Sequence, residues 1–351
     1  MIEIDGSFGE GGGQILRTAL ALSSVLGKPF LISNIRKRRK KPGLLAQHLT
    51  GVRAVAKITK AEKEGDEFGS EKLLFQPKKI TPGNYEFNVA EEKGSAGSVT
   101  LVAQSILPIL FFAEKESEVC LKGGTHVPFS PIFDYLNEIL LPTIKRLGYS
   151  AEGEIKKYGF YPVGGGEITL KIKPLSPSSC VNISGSKRGD LFSLKIISRV
   201  ANLPLAIAER QAKRALERLS PHFKITEALV ETCYAGSPGT YLFIKAEFSN
   251  TLAGFSSLGE RGKPAERVAE EAVEEFFAYY QTEVLFDPHL ADQVLIFFAL
   301  LKNRLKDEKF FFTTSRITNH LLTNIWTIKN FIPLQVKLEG ELGKTGRVEI
   351  E

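Results

Sequence analysis

Several features that mark particular protein classes are missing from this sequence. Its 351 residues include only three cysteines, Cys120, Cys180 and Cys233, which are widely spaced and form no CxxC pair. Such spacing argues against a disulfide framework or a thiolate metal site and suits a reducing compartment. No run of about 18 uncharged apolar residues occurs, so no membrane-spanning helix is expected.

The N-terminal residues and the glycine patterns argue against two further classes. The segment 1–5 has neither a basic region nor a long apolar stretch, so we expect no signal peptide and a cytoplasmic location. The pattern GxxxxGK[ST] does not occur, which argues against a P-loop kinase.

The composition is typical of a folded protein with one large or two ordinary domains. Apolar residues make up 43% and charged residues 25% of the chain. The net charge of +6 is a mild indication of an anionic partner. Six consecutive cations run from Arg36 to Lys41 and are followed by Pro42 and Gly43. Such a run is either a solvated loop or a phosphate-binding edge for nucleic acid.

A glycine-rich turn near the N-terminus is the most unusual stretch. Residues 1–4 predict a strand and 14–26 a helix, and five glycines lie within the eight positions 6–13 between them. A strand, a flexible loop and a helix start leave backbone N–H groups where an anion can bind. Glu10, the one acid among the glycines, suits a divalent cation that bridges to a phosphate. The alternative is a turn whose glycines only satisfy backbone geometry.

The alternation of strands and helices predicts an α+β fold with a loose internal repeat of roughly 80 to 90 residues. A second glycine turn, 94–98, opens the apolar helix predicted at 99–113, and a third glycine cluster lies at 164–166. A composition change at 174–179 predicts a linker. We expect a large domain of residues 1–178 and 281–351, interrupted by a small inserted domain of residues 179–280 with the pattern βαββα.

Two polar residues in the last third stand at the starts of apolar helices. Asp292 lies near the start of the helix predicted at 290–301, where an acid either caps the helix or binds a cation. His320 opens the next apolar helix, a position at which a lone histidine is either structural or functional.

Six motifs together resemble the RNA 3'-terminal phosphate cyclase family and cover essentially the whole chain. In order they are Gly9-Glu10-Gly11-Gly12-Gly13-Gln14-Ile15-Leu16-Arg17, Pro42-Gly43-Leu44-Leu45-Ala46-Gln47-His48-Leu49, Gly94-Ser95-Ala96-Gly97-Ser98, Gly159-Phe160-Tyr161-Pro162-Val163-Gly164-Gly165-Gly166, Ala291-Asp292-Gln293 and His320-Leu321-Leu322-Thr323-Asn324. The chain departs from the family pattern at Tyr158, where a basic residue is usual.

The resemblance implies a fold and an activity. The fold is a large domain of three repeats, each similar to the C-terminal domain of translation initiation factor 3 with helices on one face of a sheet, plus a small inserted α/β domain. The activity is ATP-dependent conversion of an RNA 3'-phosphate end to a 2',3'-cyclic phosphate, through an adenylylated enzyme and an adenylylated RNA. The implied cofactors are ATP and Mg or Mn, and the implied partner is an RNA 3'-phosphate end.

The resemblance also implies roles for individual residues. His320 would take the AMP, with Arg17 and Glu10 beside it and Glu10 near the metal. Residues expected at the nucleotide are Gln104, Pro128, Pro131, His289, Asp292 and Gln293. Residues expected at the RNA end or its phosphates are Arg36, Arg39 and Gln47.

Two other functions fit parts of the pattern. One branch of the family binds RNA without catalysis in ribosome assembly and lacks the nucleophilic histidine, whereas this chain has His320. The enolpyruvyl transferases share the repeat fold but use no nucleotide, so they do not explain the ordered motifs.

Overall fold

The N-terminal part of the chain forms a unit with a four-stranded sheet. The fold is that of a computed structural model, which describes residues 1–91, 96–175 and 183–351. The unit contains β1 (Ile2–Asp5), α1 (Gly13–Leu26), β2 (Phe30–Ser33), α2 (Ala46–Thr59), β3 (Glu62–Glu64) and β4 (Leu73–Gln76). Its strands lie in the order β1-β2-β4-β3, with β1 and β2 parallel and the other neighbours antiparallel.

The second unit repeats this strand order as β5-β6-β8-β7. It contains β5 (Asn84–Asn88), α3 (Val99–Leu110), β6 (Ser117–Gly123), α4 (Phe133–Tyr135), α5 (Leu141–Arg146), β7 (Ala151–Lys157) and β8 (Gly166–Ile172). The single helix predicted at 132–147 is wrong in one respect, because a π-helical segment, Leu136–Leu140, separates α4 from α5. Pro142 lies in the first turn of α5 and has no N–H for the regular hydrogen-bond ladder.

The next unit lies within the span predicted as the inserted domain. It contains β9 (Leu191–Ala201), α6 (Ala206–Leu219), β10 (Glu227–Thr232), β11 (Gly239–Phe248), β12 (Leu252–Leu258) and α7 (Ala265–Tyr280). The predicted pattern βαββα missed β12, which pairs with β11 at the sheet edge. Gly254 and two serines weaken the strand pattern of β12, and a Cβ at Gly254 would crowd Tyr135 and Ile139. The glycine therefore permits close packing against the second unit.

The last unit carries the same strand pattern in shorter form. It contains α8 (Pro288–Arg304), β13 (Phe310–Thr314), α9 (Asn319–Phe331), β14 (Val336–Gly340) and β15 (Gly346–Ile350). The sheet order is β13-β15-β14, and Phe286 forms a parallel bridge to Thr314 where a first strand would lie.

The helices of the three similar units meet in one apolar core. Helix α1 packs against α3 and α9, and α8 packs against α9. Leu16 and Leu20 of α1 are almost fully buried, and each contributes about 1.5–3 kcal/mol by leaving water. A separate apolar cluster lies between the sheet of β9–β12 and helices α6 and α7. Central packing of α1, α8 and α9 fixes the positions of the side chains at their starts.

The α+β class is confirmed, and the three similar units agree with the predicted repeat. The division into a large domain and an inserted domain stays a prediction. The predicted linker at 174–179 falls mostly outside the described residues, as do Gly94 and Ser95 of the second glycine turn. Within the described ranges, no helix has the length and apolar character needed to cross a membrane.

Candidate active site

The first glycine turn packs against side chains of α2 and α9. Gly9 has a φ of 55°, and a Cβ there would lie 2.4 Å from Thr323 Oγ1. A Cβ at Gly13 would lie 2.3 Å from His48 Nε2. Helix α1 begins after Gly12 without a side-chain cap. The glycines thus allow other side chains to approach closely, and the first N–H groups of α1 have no side-chain cap in this turn.

His320 stands at the exposed start of α9. Thr318 caps this helix because its hydroxyl accepts a hydrogen bond from Leu321 N–H. The cap fixes the first turn, and 48% of the His320 side chain remains exposed. The structural and the functional interpretation of this histidine both stay open on its position alone.

Both ring nitrogens of His320 contact residues of the first glycine motif. Nδ1 lies 2.8 Å from Gln14 Oε1, and Nε2 lies 2.8 Å from Glu10 Oε2. An amide oxygen only accepts hydrogen bonds, so Nδ1 carries the proton in the contact with Gln14. The contact with Glu10 is an ion pair when the ring is also protonated on Nε2.

Asp292 fixes the amide of Gln14 rather than capping its own helix. The cap of α8 is Asp287, which accepts hydrogen bonds from the N–H groups of His289 and Leu290. Asp292 accepts a short hydrogen bond from Gln14 Nε2 and a second from Asn324 Nδ2. Because its Nε2 donates to Asp292, Gln14 must turn its oxygen toward His320. The capping alternative for Asp292 is therefore wrong.

The charges around His320 shift the pKa values of several groups. His320 and then Arg39 lower the pKa of Glu10 to about 2, although burial opposes them. Glu10 in turn raises the pKa of His320, helped by Asp292 and opposed by burial. Burial lowers the pKa of Arg17 to about 10, so this guanidinium stays charged at neutral pH. The site therefore holds a Glu10 carboxylate between two nitrogen-bearing side chains.

A pocket beside this cluster contains three of the six residues expected at the nucleotide. Arg17, Gln104, Asp292 and Gln293 line it together with Gln14. Gln104 Nε2 donates a 2.8 Å hydrogen bond to Gln293 Oε1, which joins α3 to α8 across the pocket. Side chains from three units thus meet in one cavity, in which the polar groups lie beside apolar side chains such as Leu107 and Ile296.

The predicted phosphate-binding residues of the basic run have two different environments. Arg39 forms a short ion pair with Glu10, so it lies at the His320 cluster. Arg36 donates to the carbonyls of Lys41 and Gly43 at 2.7 and 2.9 Å and is half-buried. Arg36 therefore holds the loop in shape, and Arg39 is the cation that reaches the site.

The remaining predicted residues lie around the starts of α2, α3 and α8. Gln47 accepts a 3.0 Å hydrogen bond from Ser98 N–H. The carbonyl of Pro131 accepts from Thr100 Oγ1 at 2.7 Å, and Pro128 is exposed. His289 is exposed, with its ring 6.3 Å from that of Tyr135. The contacts described for these residues are with partners other than His320, so their roles stay predictions.

The predicted cation at Glu10 has few protein ligands to hold it. In the ranges 1–91, 96–175 and 183–351, no group of three or more histidine, cysteine or acidic side chains is arranged for a metal ion. Glu10 fits a magnesium-type ion only as one carboxylate that shares the ion with substrate phosphates and water.

The third glycine cluster serves packing. A Cβ at Gly166 would lie 2.6 Å from Gly159 N, so two backbone segments meet there. Tyr158, at the usually basic position, stacks on His126 with ring centroids 5.1 Å apart, and Arg199 lies 6.0 Å from its ring centroid. His126 Nε2 is 2.8 Å from the buried Asp134, which also pairs with Arg199. A cation from the β9 strand therefore lies beside the position where the family motif usually has one.

Sequence reasoning missed the residues that orient the predicted ones. Gln14 and Asn324 both contact Asp292, and Thr18 Oγ1 donates a 2.8 Å hydrogen bond to Asn324 Oδ1. Gln14 and Asn324 lie inside the quoted motifs. The available signal was a polar residue at a helix position that the apolar pattern places on the buried side.

Known proteins match the chain over nearly its whole length. The family model described as RNA 3'-terminal phosphate cyclase matches residues 8–338. The chain belongs to the RNA 3'-terminal phosphate cyclase family. The RNA 3'-terminal phosphate cyclase of Methylococcus capsulatus is 43% identical, with 100% of this chain and 96% of that protein covered. That of Pyrococcus abyssi is 39% identical, with 100% and 98% covered. That of Archaeoglobus fulgidus is 41% identical, with 97% and 98% covered.

The predicted family is thereby confirmed, and with it an enzyme of the RNA 3'-terminal phosphate cyclase type. The roles of His320 and of the other site residues are not tested by family membership. They remain predictions that the site geometry can support.

Proposed function

We propose that the protein uses ATP to convert an RNA 3'-phosphate end to a 2',3'-cyclic phosphate, with His320 as the carrier of AMP. The observation that carries the proposal is an exposed imidazole, His320, oriented by Gln14, which also lines the pocket of Arg17, Gln104 and Asp292. The activity is that named for the relatives, and the histidine intermediate rests on the geometry and on the family motif.

In the first step His320 attacks the α-phosphorus of ATP through Nε2. A P–N bond forms, the bond from the α-phosphorus to the bridging oxygen breaks, and pyrophosphate leaves. Gln14 keeps the proton on Nδ1, so the lone pair is on Nε2 when the ring is neutral. Glu10 favours the protonated ring before ATP binds, so the proton on Nε2 must leave before attack.

The cations around the ring stabilise the negative charge of the phosphates. Arg17 lines the pocket and Arg39 lies at Glu10, so both are placed to stabilise charge that develops in the transition state. Glu10 would hold a divalent cation together with phosphate oxygens of ATP, and such an ion supplies Lewis-acid stabilisation of the phosphoryl group. Gln104, Gln293, Pro128, Pro131 and His289 would surround the nucleoside.

The RNA end reacts in two further steps. An oxygen of the RNA 3'-phosphate attacks the phosphorus of the bound AMP, the P–N bond breaks, and an adenylylated RNA end results. The neighbouring 2'-OH then attacks the RNA phosphate, loses its proton, and expels AMP as the ring closes. This step is intramolecular, so positioning supplies much of its rate. A DNA end has no 2'-OH and would stop after adenylylation.

The proposed partners are ATP and RNA 3'-phosphate ends, and the proposed compartment is the cytoplasm. Cys120 and Cys233 are free thiols in the structure, which agrees with the reducing compartment expected from the sequence. Arg39 and Gln47 would contact the RNA end, with Arg36 holding the basic loop that presents Arg39.

The test is transfer of label from α-labelled ATP to the protein in the presence of magnesium or manganese. We expect an acid-labile and alkali-stable bond, because a phosphoramidate has these properties. His320→Ala should abolish the label. His222→Ala, an exposed histidine on the β9–β12 unit, is the matched control and should retain full labelling.

The possible results separate the mechanism from the alternative function. Label that persists in His320→Ala would contradict the histidine intermediate. A protein that takes no label and makes no cyclic phosphate, yet binds RNA, would instead be a non-catalytic RNA-binding member of the family.

A further inference from the structure

Phe129 combines full exposure of an aromatic ring with an unusual backbone conformation. Its side chain is fully exposed, and its φ is 62°, in the left-handed region. A bulky residue in this region is a genuine outlier that is held against a conformational cost. Packing does not explain the ring, because a fully exposed side chain buries almost no surface against its neighbours.

The loop around Phe129 is held firmly from both sides. Val127 is buried, and its carbonyl accepts a 3.0 Å hydrogen bond from Ser130 Oγ. The carbonyl of Pro131 accepts from Thr100 Oγ1 at 2.7 Å. The left-handed backbone is therefore fixed by its neighbours, and the conformation directs the ring into solvent.

The loop is connected to the basic run through a row of helix starts. Thr100, in the first turn of α3, holds Pro131. Ser98, the cap of α3, donates its N–H to Gln47 at the start of α2. Helix α2 follows the basic run 36–41, from which Arg39 reaches Glu10. Phe129 thus lies two residues from Pro131, at one end of a series of contacts that leads to Gln47, a residue predicted to bind the RNA end.

We propose that Phe129 is a stacking platform for a nucleobase of the RNA, close to its 3' end. This inference rests on the proposed function. Proteins that bind single strands combine a cationic path for the backbone with exposed aromatic rings on which bases stack. A nucleotide pocket buries most of its ligand, whereas Phe129 stands clear of its surroundings, which favours an RNA base over the adenine of ATP. A phenyl ring has no polar atom, so the platform accepts any base.

The first measurement is the affinity for a fluorescently labelled RNA of about ten nucleotides with a 3'-phosphate, by anisotropy. We expect Phe129→Ala to weaken binding about 5- to 100-fold, the range for loss of one base stack. Phe129→Trp should keep the parent affinity, and Phe129→Leu should behave like Phe129→Ala. Phe192→Ala, which removes an exposed phenylalanine on the sheet of β9–β12, should have no effect.

Three outcomes overturn the inference. The first is an unchanged affinity of Phe129→Ala. The second is full affinity of Phe129→Leu, which would indicate apolar contact without stacking. The third is an increase, in Phe129→Ala, of the ATP concentration needed for half-maximal self-labelling without RNA. This result would mean that the adenine of ATP stacks on the ring.

Two further measurements distinguish loss of the stacking contact from misfolding and from failure of the proposed function. Phe129→Gly removes the ring and the strain together, so it should melt at the parent temperature or above while RNA affinity falls. RNA affinity is read without turnover, so a parent protein that binds RNA but takes no label from ATP contradicts the proposed function and leaves the stacking result readable. An RNA with a single abasic nucleotide, moved one position at a time from the 3' end, locates the stacked base. At one position the parent and Phe129→Ala proteins should bind this RNA with equal affinity.

Discussion

Gln14 Oε1 and His320 Nδ1 lie 2.8 Å apart, and this contact places the proton of the neutral ring on Nδ1 and the lone pair on Nε2. Gln14 is itself oriented, because its Nε2 donates to Asp292. A carboxylate, an amide and an imidazole therefore form one chain of hydrogen bonds. Similar outer contacts fix the tautomer of metal-bound histidines, and in the proposed mechanism the contact at Nδ1 leaves Nε2 as the nucleophile.

Removal of the Gln14 amide should slow self-labelling from ATP. We expect Gln14→Leu to reduce the single-turnover rate about 100-fold, because the ring loses both its orientation and its tautomer preference. Gln281→Leu makes the same change at the exposed C-terminal end of α7 and should have no effect. A Gln14→Leu protein with the parent rate would show that the contact is dispensable.

The rate of self-labelling should rise with pH through the raised pKa of His320. Glu10 raises this pKa above its ordinary value of about 6.5, so the ring stays protonated to a higher pH. Loss of the negative charge in Glu10→Gln should lower the pKa of His320 and move the midpoint of the pH–rate profile to lower pH. Single-turnover rates over the range of about pH 5 to 9 would measure both midpoints.

In Glu10→Gln, the maximal rate of self-labelling reports the predicted metal-binding role of Glu10, and the midpoint of the pH–rate profile reports its effect on the pKa of His320. A lower maximal rate is expected as well, since Glu10 is the predicted metal residue. A midpoint that stays in place or moves to higher pH would contradict the charge coupling between Glu10 and His320.

The exposed cations of the basic run should set the salt dependence of RNA binding. Arg38 and Lys40 are exposed, whereas Arg36 is bonded to the loop backbone. Substitution of Arg38 and Lys40 by glutamine should flatten the slope of log affinity against log salt by about 0.7 for each phosphate that is no longer neutralised. Arg39→Ala should flatten it too and should also slow self-labelling.

Substitution of two lysines far from the basic run tests whether the change in salt dependence is local. Lys213 and Lys224 lie on the β9–β12 unit, and their substitution by glutamine makes the same charge change there. An equal flattening of the slope in this pair would show that the whole molecular charge, rather than the basic run, attracts the RNA.

Asp292 should contribute to stability as well as to reactivity. Asp292→Ala removes the acceptor of two buried amides, Gln14 and Asn324, and a negative charge near Arg17. We expect the free energy of unfolding to fall by about 1–3 kcal/mol, measured by urea denaturation. Asp307→Ala, an exposed acid beyond α8, should leave it unchanged. If the free energy of unfolding of Asp292→Ala equals that of the parent, water replaces the hydrogen bonds of the carboxylate without a loss of stability.

The sequence was sufficient for the elements whose signals are local. Helix α7 was predicted as 264–280 and is observed as Ala265–Tyr280, because its apolar face and its proline start are both visible in the sequence. The helix after Thr318 was also placed correctly, since threonine is a common cap. Strand β12 was not predicted because Gly254 weakens the strand pattern, and the reason for this glycine is close packing that the sequence does not show.

The candidate site was predictable only in its parts. His320, Glu10 and Asp292 stood out because each is a polar residue at a glycine turn or helix start. Their mutual arrangement was not predictable, because it depends on how α1, α8 and α9 pack in three dimensions. The same limit applies to Arg36, whose bonds to nearby carbonyls depend on the shape of the loop.

The two partners in the Gln14–His320 contact are 306 positions apart in the chain. During synthesis the first helix leaves the ribosome long before the histidine has been translated. In the proposed mechanism, a nascent chain therefore contains no complete centre for nucleotide transfer until the helix of His320 has emerged. Reactivity toward ATP would appear only after that point, so shorter products of translation would carry no adenylate.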